Sequence, residues 1–315
     1  MTNEYYPLSQ VICHHFYNNH GCTFCGYYSQ KRTVSQKELT PGEMIQHFDS
    51  FVGKNIEDIL KSDRLIIAPN GSWFTEVPQQ LRKHIYDFIK NNKISLLKYE
   101  SRASLFDLKK ALLGLSIMHH SRGYDTETTF SLVQKAIENL SEALNEIKPN
   151  HMVSFGLEVA DDNDLKILNK GCSLDDYTNA SNKVHDMGAK VCANILLVPP
   201  RIENPLYKAF ITAQFGAEKM GASEFLIMPC SPMNGTEAYE DWINARWNPV
   251  SATAASEVFR IIREKYPQIK VRYSDLRIFT KHGRHGKFKR KPGKWSEEEK
   301  QKVREEVRVI AEQVF

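Results

Sequence analysis

The sequence predicts an α/β fold: a partial (β/α)6 TIM-like barrel of parallel strands with a C-terminal helical and basic extension. Three observations predict it. Short apolar runs recur along the chain, amphipathic helical stretches lie between them, and about six such repeats fit a closed or partly closed barrel better than a short open sheet. The 315 residues are enough for one such domain or for two smaller ones.

Taken in order, the strand candidates are residues 11–12, 65–68, 94–99, 152–157, 191–198, 224–228 and 269–273. Most are near-continuous apolar runs, as expected for parallel strands covered on both faces. Helical patterns span 41–52 after the Thr40 cap, 79–90, 126–147, 174–187, 205–220 and 251–265. Leu81, Ile85, Phe88 and Ile89 form an apolar stripe at helical spacing, as do Phe130, Val133, Ile137, Leu140 and Leu144. Residues 105–150 are longer than one crossover needs and carry an insertion. After Trp295, Ser296 and Glu299 form a capping box for a last helix with the stripe Val303, Val307 and Ile310. This divides the chain into a barrel over 1–250 and an extension over 251–315 that packs on or caps it. In a barrel of this kind, chemistry sits at the C-terminal ends of the strands.

Composition narrows the class. Hydrophobic residues at 41% and charged residues at 25% are ordinary for a globular protein. No apolar run is long enough to span a membrane. The start, MTNEYYPLSQ, lacks a basic stretch followed by an apolar one, so the expected compartment is the cytoplasm. The net charge of +4 names no partner, but residues 281–294 (KHGRHGKFKRKPGK) concentrate lysine and arginine. That segment is either a phosphate-binding surface for a nucleic acid such as tRNA, a solvated loop, or a cap over the barrel mouth.

Cys13, Cys22 and Cys25 fall in ICHHFYNNHGCTFCGYY with the spacing C-x8-C-x2-C, on the loop after the first strand. Three thiolates on one loop can hold three irons of a 4Fe–4S cluster and leave the fourth open. The same loop offers His14, His15 and His20 as a fourth ligand for zinc. On spacing alone both readings stand, the second describing a zinc-stabilised nucleic-acid-binding protein. Cys172, Cys192 and Cys230 stand apart and read as ordinary thiols.

Five ordered stretches carry a resemblance: GCTFCGYY (21–28), NGSWF (70–74), YESRASL (99–105), GLEVADDNDLKILNKG (156–171) and LLVPP (196–200), with a weaker one in SPMNGTEAYEDW (231–242). Together they resemble the radical S-adenosylmethionine superfamily, in the branch containing the elongator catalytic subunit and the archaeosine-synthase radical component. The resemblance implies a 4Fe–4S cluster on Cys13, Cys22 and Cys25, and S-adenosylmethionine bound at its open iron. Phe24, just before the last cysteine, stands where the family packs an aromatic ring on adenine. Asn70, Gly71 and Ser72 match the family's turn against the methionyl amine, which otherwise reads as an ordinary β–α turn. Glu100 and Arg102 are implied to reach the cofactor or substrate, with a strand-end salt bridge as the plainer reading. Glu158 is implied to sit beside the cofactor, and Lys170 to reach its carboxylate.

Asn194 is a polar residue within an apolar strand, either a site residue or a buried hydrogen bonder. Met228 is a core residue or an adenine contact. The implied activity is reductive cleavage of S-adenosylmethionine and hydrogen abstraction from a substrate, either tRNA-like or a small molecule. The chemistry implies an external one-electron donor such as a flavodoxin or ferredoxin.

Overall fold

A computed structural model of the protein describes residues 5–8, 21–25, 39–69, 71–121, 125–273 and 296–315. Its strands are β1 (Tyr5–Leu8), β2 (Arg64–Pro69), β3 (Leu96–Ser101), β4 (His151–Glu158), β5 (Lys190–Leu197), β6 (Glu224–Pro229) and β7 (Lys270–Tyr273). They form one sheet, all parallel, in the order of the sequence. The six strand–helix units of the expected partial barrel are present, and β7 adds one strand at the far edge. Residues 11–12, expected as the first strand, lie outside the described residues; the strand that pairs with β2 is Tyr5–Leu8.

The helices follow from local signals. Helix α1 (Pro41–Ser62) starts at the Thr40–Glu43 capping box and ends at Asp63, which takes φ 52°. It runs ten residues past the expected stop at 52, because Gly53 sits inside the helix and Ile59 is buried further on. Helix α2 (Gln79–Asn91) links β2 to β3. The expected insertion is a helical hairpin, α3 (Leu108–Ser121) and α4 (Thr126–Asn145), the latter capped by Asp125. Helices α5 (Asp162–Ile167) and α6 (Leu174–Asp186) follow β4, and α7 (Pro205–Glu218) follows β5. Helices α8 (Glu237–Ile243) and α9 (Ala252–Lys265) follow β6, and α10 (Glu297–Glu312) packs on α7 and α9. The Ser296–Glu299 box and the burial of Val307 are as the sequence predicts.

Side-chain parity decides which way the sheet faces, because alternate residues of a strand point to opposite sides. One face carries Leu65, Ile67, Leu97, Tyr99, Val153, Phe155, Val191, Ala193, Phe225 and Ile227, all fully buried in the core shared with the helices. The other carries Arg64, Lys98, Ser154, Cys192, Asn194, Glu224 and Arg272. The expected two-sided apolar covering holds for the helix-facing side, whereas the concave side mixes these polar groups with Ile66, Met152, Leu196 and Leu226.

The curl of the sheet is visible in one ion pair. Arg64 of β2 grips Glu224 of β6 through both guanidinium nitrogens, at 3.0 Å each, although three strands separate them in the sheet. Lys98 of β3 reaches the same carboxylate at 2.7 Å and the Cys192 thiol at 3.0 Å. Arg272 of β7 approaches it at 3.3 Å. Burial opposes ionisation of Glu224, but Lys98 and Arg64 outweigh it and bring its pKa down to about 2. This cluster braces the concave face near the N-terminal ends of β2 and β6. Ser154 and Asn194 lie further along, with the Ser154 hydroxyl donating to Asn194 Oδ1 at 2.8 Å.

Candidate active site

The residues of the candidate site gather at the opposite end of the barrel, where β3, β4 and β6 finish. The β4–β5 register shifts between Phe155 and Glu158. Val159 N–H then donates to the Leu157 carbonyl at 2.8 Å, a tight turn centred on Glu158 with φ 65°. A non-glycine residue held in that region stores backbone strain, which concentrates at functional sites. The turn presents a carboxylate that is 6% exposed. Glu158 Oε1 pairs with Lys170 Nζ at 3.1 Å, while Oε2 is buried and has no hydrogen-bond partner among the described residues.

This pair lies over Gly156. A Cβ added there would come within 2.6 Å of Glu158 Oε1 and 3.0 Å of Lys170 Nζ. A side chain at 156 would push the ends of this pair aside. Burial works against the Lys170 charge, but Glu158 foremost, with Cys22 and neighbouring groups, holds the ammonium well above the ordinary lysine range. Glu100, at the end of β3, moves the other way. Loss of water raises its carboxyl pKa to about 7; Lys98 and Lys170 pull it down and Glu158 pushes it up.

The cysteine turn docks on this group. Cys25 N–H donates to the Cys22 carbonyl at 3.0 Å, closing a turn over Cys22–Cys25 in which both thiols are partly exposed. Thr23 N–H donates to the Leu168 carbonyl, and Ala238 N–H donates to the Thr23 carbonyl, both at 3.2 Å. Phe24 lies 5.7 Å below the Lys170 ammonium, measured to its ring centroid. Its ring touches both the main core and a smaller cluster of Leu196, Cys230, Ala238 and Trp247, where Met228 also packs. Arg102 Nη2 donates to the Lys170 carbonyl at 3.2 Å, so β3 braces the same loop.

Phe24, Cys22, Cys25, Glu100, Arg102, Glu158, Lys170 and Met228 thus come together. Ser72 is placed differently. It is fully buried, its hydroxyl 2.8 Å from that of Ser101, and its N–H donates to Glu76. Its polar groups stabilise the turn after β2. Gly71 is partly buried beside it. Asn194 is 4% exposed and lies deeper, on Ser154 and Cys192. Cys13, Asn70, His14, His15, His20 and the basic segment 281–294 lie outside the described residues. Among the described residues no group of three or more His, Cys, Asp or Glu side chains is arranged to hold a metal ion.

Sequence reasoning missed Gly21, Leu168 and Asn169 as parts of the site. Asn169 Nδ2 donates to the Gly21 carbonyl at 2.6 Å. Its available signal was position: an asparagine next to Lys170 in the NKG turn that ends α5.

The donor chemistry fits a thiolate-bound cluster as far as it is described. Cys22 and Cys25 supply two sulfurs from one turn. No helix of the described residues is long and apolar enough to cross a membrane.

No protein-family model matches this chain, and no curated protein is similar to it in sequence. Among solved structures, an archaeal Methanocaldococcus infernus Elp3 with an N-terminal deletion (1-46) is similar in fold, at 18% identity and a TM-score of 0.47. The match covers 75% of this chain and 54% of that one, so this chain spans about half of that protein's length.

Proposed function

We propose that this protein is a radical S-adenosylmethionine enzyme, with a 4Fe–4S cluster held by Cys13, Cys22 and Cys25. The observation that carries the proposal is convergence. Stretches far apart in sequence, each resembling a motif for one cofactor, meet at the C-terminal end of one barrel: Cys22–Phe24–Cys25, Glu100–Arg102, Glu158 and Lys170. When bound, the cluster and cofactor supply one-electron cleavage of a sulfonium carbon–sulfur bond and, through it, hydrogen-atom abstraction.

The chain's own residues bind, orient and exclude water. Phe24 offers an aromatic face, backed by the cluster of Leu196, Cys230, Ala238 and Trp247. Lys170 offers a fixed ammonium to a carboxylate, and Arg102 holds its backbone in place. Glu158 Oε2 offers an acceptor that no other described residue uses. Glu100, poised near pH 7, can accept or hold a proton beside it. Asn70 and Gly71 are the proposed contacts for the methionyl amine, and Asn194 and Met228 are the remaining proposed cofactor contacts on the concave face. The electron comes from an external one-electron donor, a flavodoxin or ferredoxin type. The substrate is a tRNA or a small biosynthetic molecule, and the basic segment 281–294 is a phosphate contact in the first case.

Anaerobic purification tests the proposal directly. Wild-type protein is expected to be brown with a broad visible absorption, to contain iron and sulfide, and to yield 5′-deoxyadenosine when reduced with S-adenosylmethionine. Cys25→Ala is expected to lose the colour and the product. Colourless protein carrying stoichiometric zinc rejects the proposal. Adding bulk tRNA or small-molecule extracts to the same assay separates the two substrate classes by which one raises 5′-deoxyadenosine yield.

A further inference from the structure

The segment 168–170 grips the cysteine turn with three successive residues. Leu168 accepts from Thr23 N–H at 3.2 Å, Asn169 donates from its carboxamide to the Gly21 carbonyl at 2.6 Å, and Lys170 sits above the Phe24 ring at 5.7 Å. The local backbone explains the reach of Asn169. Helix α5 ends at Ile167 with Leu168 as its C-cap, and Asn169 takes φ 51° with its N–H donating to the Lys166 carbonyl at 2.9 Å. Asparagine tolerates that left-handed conformation better than most residues. It leaves the helix there and reaches residue 21, whose own φ is 77°.

We infer that Asn169 is a positioning residue for the cysteine turn, fixing the Gly21 peptide that leads into Cys22; this rests on the function proposed above. The Gly21 peptide plane sets where the Cys22 main chain begins, and Thr23 is held from both sides, by Leu168 and by Ala238. The Leu168 and Ala238 contacts are main-chain bonds that persist under substitution. The Asn169 carboxamide is a side-chain bond that one substitution deletes. Groups that orient metal ligands from behind commonly govern metal retention, and a short polar contact to the ligand-bearing loop is of that kind.

Two variants test it. Asn169→Gly keeps the left-handed backbone and removes the carboxamide. Asn169→Asp keeps the shape and removes the N–H donor. Amide hydrogen exchange across residues 21–25 is measured in the apo-protein. Iron loss to a chelator and the electron paramagnetic resonance of the dithionite-reduced cluster are measured after reconstitution. The expected result in both variants is roughly tenfold faster exchange at Thr23, the scale of one lost hydrogen bond, with faster iron loss and a broadened resonance. The thermal midpoint of the whole molecule stays close to wild type. Exchange and iron retention equal to wild type in both variants overturn the inference while leaving the proposed function intact. Wild-type protein that takes up no iron overturns the proposed function, and exchange at residues 21–25 still decides the role of Asn169. If Asn169→Gly does not fold, the same measurements on Asn169→Asp decide the matter.

Discussion

At the scale of single residues, the site is built around one buried ion pair with an unequal share of partners. Glu158 is paired to Lys170 through one oxygen and has no described partner on the other. Both side chains are largely buried, at 7% and 12% exposure. Removing one member leaves the other charge stranded, which costs about 3–5 kcal/mol. Lys170→Met is therefore expected to lower stability by about that amount, and the double variant with Glu158→Gln to recover most of it. Urea unfolding of the four proteins at neutral pH measures the cycle; a Lys170→Met cost below about 1 kcal/mol contradicts a buried pair. The two residues stood out in the sequence, a glutamate closing an apolar strand and a lysine before a glycine, but each was expected to reach the cofactor and their pairing was not foreseen. The partner of Asn169 was not legible either, since the bond spans 148 positions. Nor was the seating of Ser72, whose hydroxyl meets Ser101 from the next strand. No local pattern encodes such pairings.

At the scale of elements, the strands were legible through their apolar content, while the split into a helix-facing and a concave side was not. RLIIAP and EFLIMP each open on one charged residue ahead of an apolar run, and only LLKYES sets Lys98 and Glu100 in alternation with Leu97 and Tyr99. The first strand escaped detection because Pro7 interrupts YYPL, and proline argues against a central strand. Among the described residues its neighbour in the sheet is β2 alone, so it is an edge, where proline is tolerated. Helix packing against the sheet gives a sharper expectation. A Cβ at Gly216 of α7 would lie 2.9 Å from the Phe225 ring and 3.4 Å from the Ala193 Cβ. Glycine to alanine inside a helix ordinarily stabilises by about 1 kcal/mol. Here the buried ring of Phe225 cannot retreat freely, so Gly216→Ala is expected to destabilise by about 1–3 kcal/mol. A thermal midpoint at or above wild type contradicts that close approach.

At the scale of the whole molecule, two desolvated groups set opposing responses to pH. His151 is driven down to about 4 by burial, with Lys148 adding to it, and its Nδ1 accepts the Lys148 N–H and lies 3.2 Å from the Tyr99 hydroxyl. The unfolded chain binds a proton there near 6.5, so its contribution is complete above that pH and fades as pH falls toward 4. Glu100 is raised from 4.5 to about 7, so its contribution is complete below 4.5 and fades as pH rises through 7. Each displacement corresponds to about 3 kcal/mol over its window. Between pH 4.5 and 6.5 they oppose each other. Wild-type stability is expected to vary little there, Glu100→Gln to become more stable with rising pH, and His151→Gln less stable. Urea midpoints across that range read the slopes, and slopes of the same sign in the two variants contradict this account.

The brace between Arg64 and Glu224 joins positions 160 residues apart. Each strand pairs with its predecessor, so the sheet can lengthen one edge at a time as the chain leaves the ribosome. Its guanidinium and the Lys98 ammonium are made early, however, and their shared carboxylate arrives only with the sixth strand. Until then those two cations lack that carboxylate. A polypeptide stopped before residue 224 would therefore lack the carboxylate that both cations share.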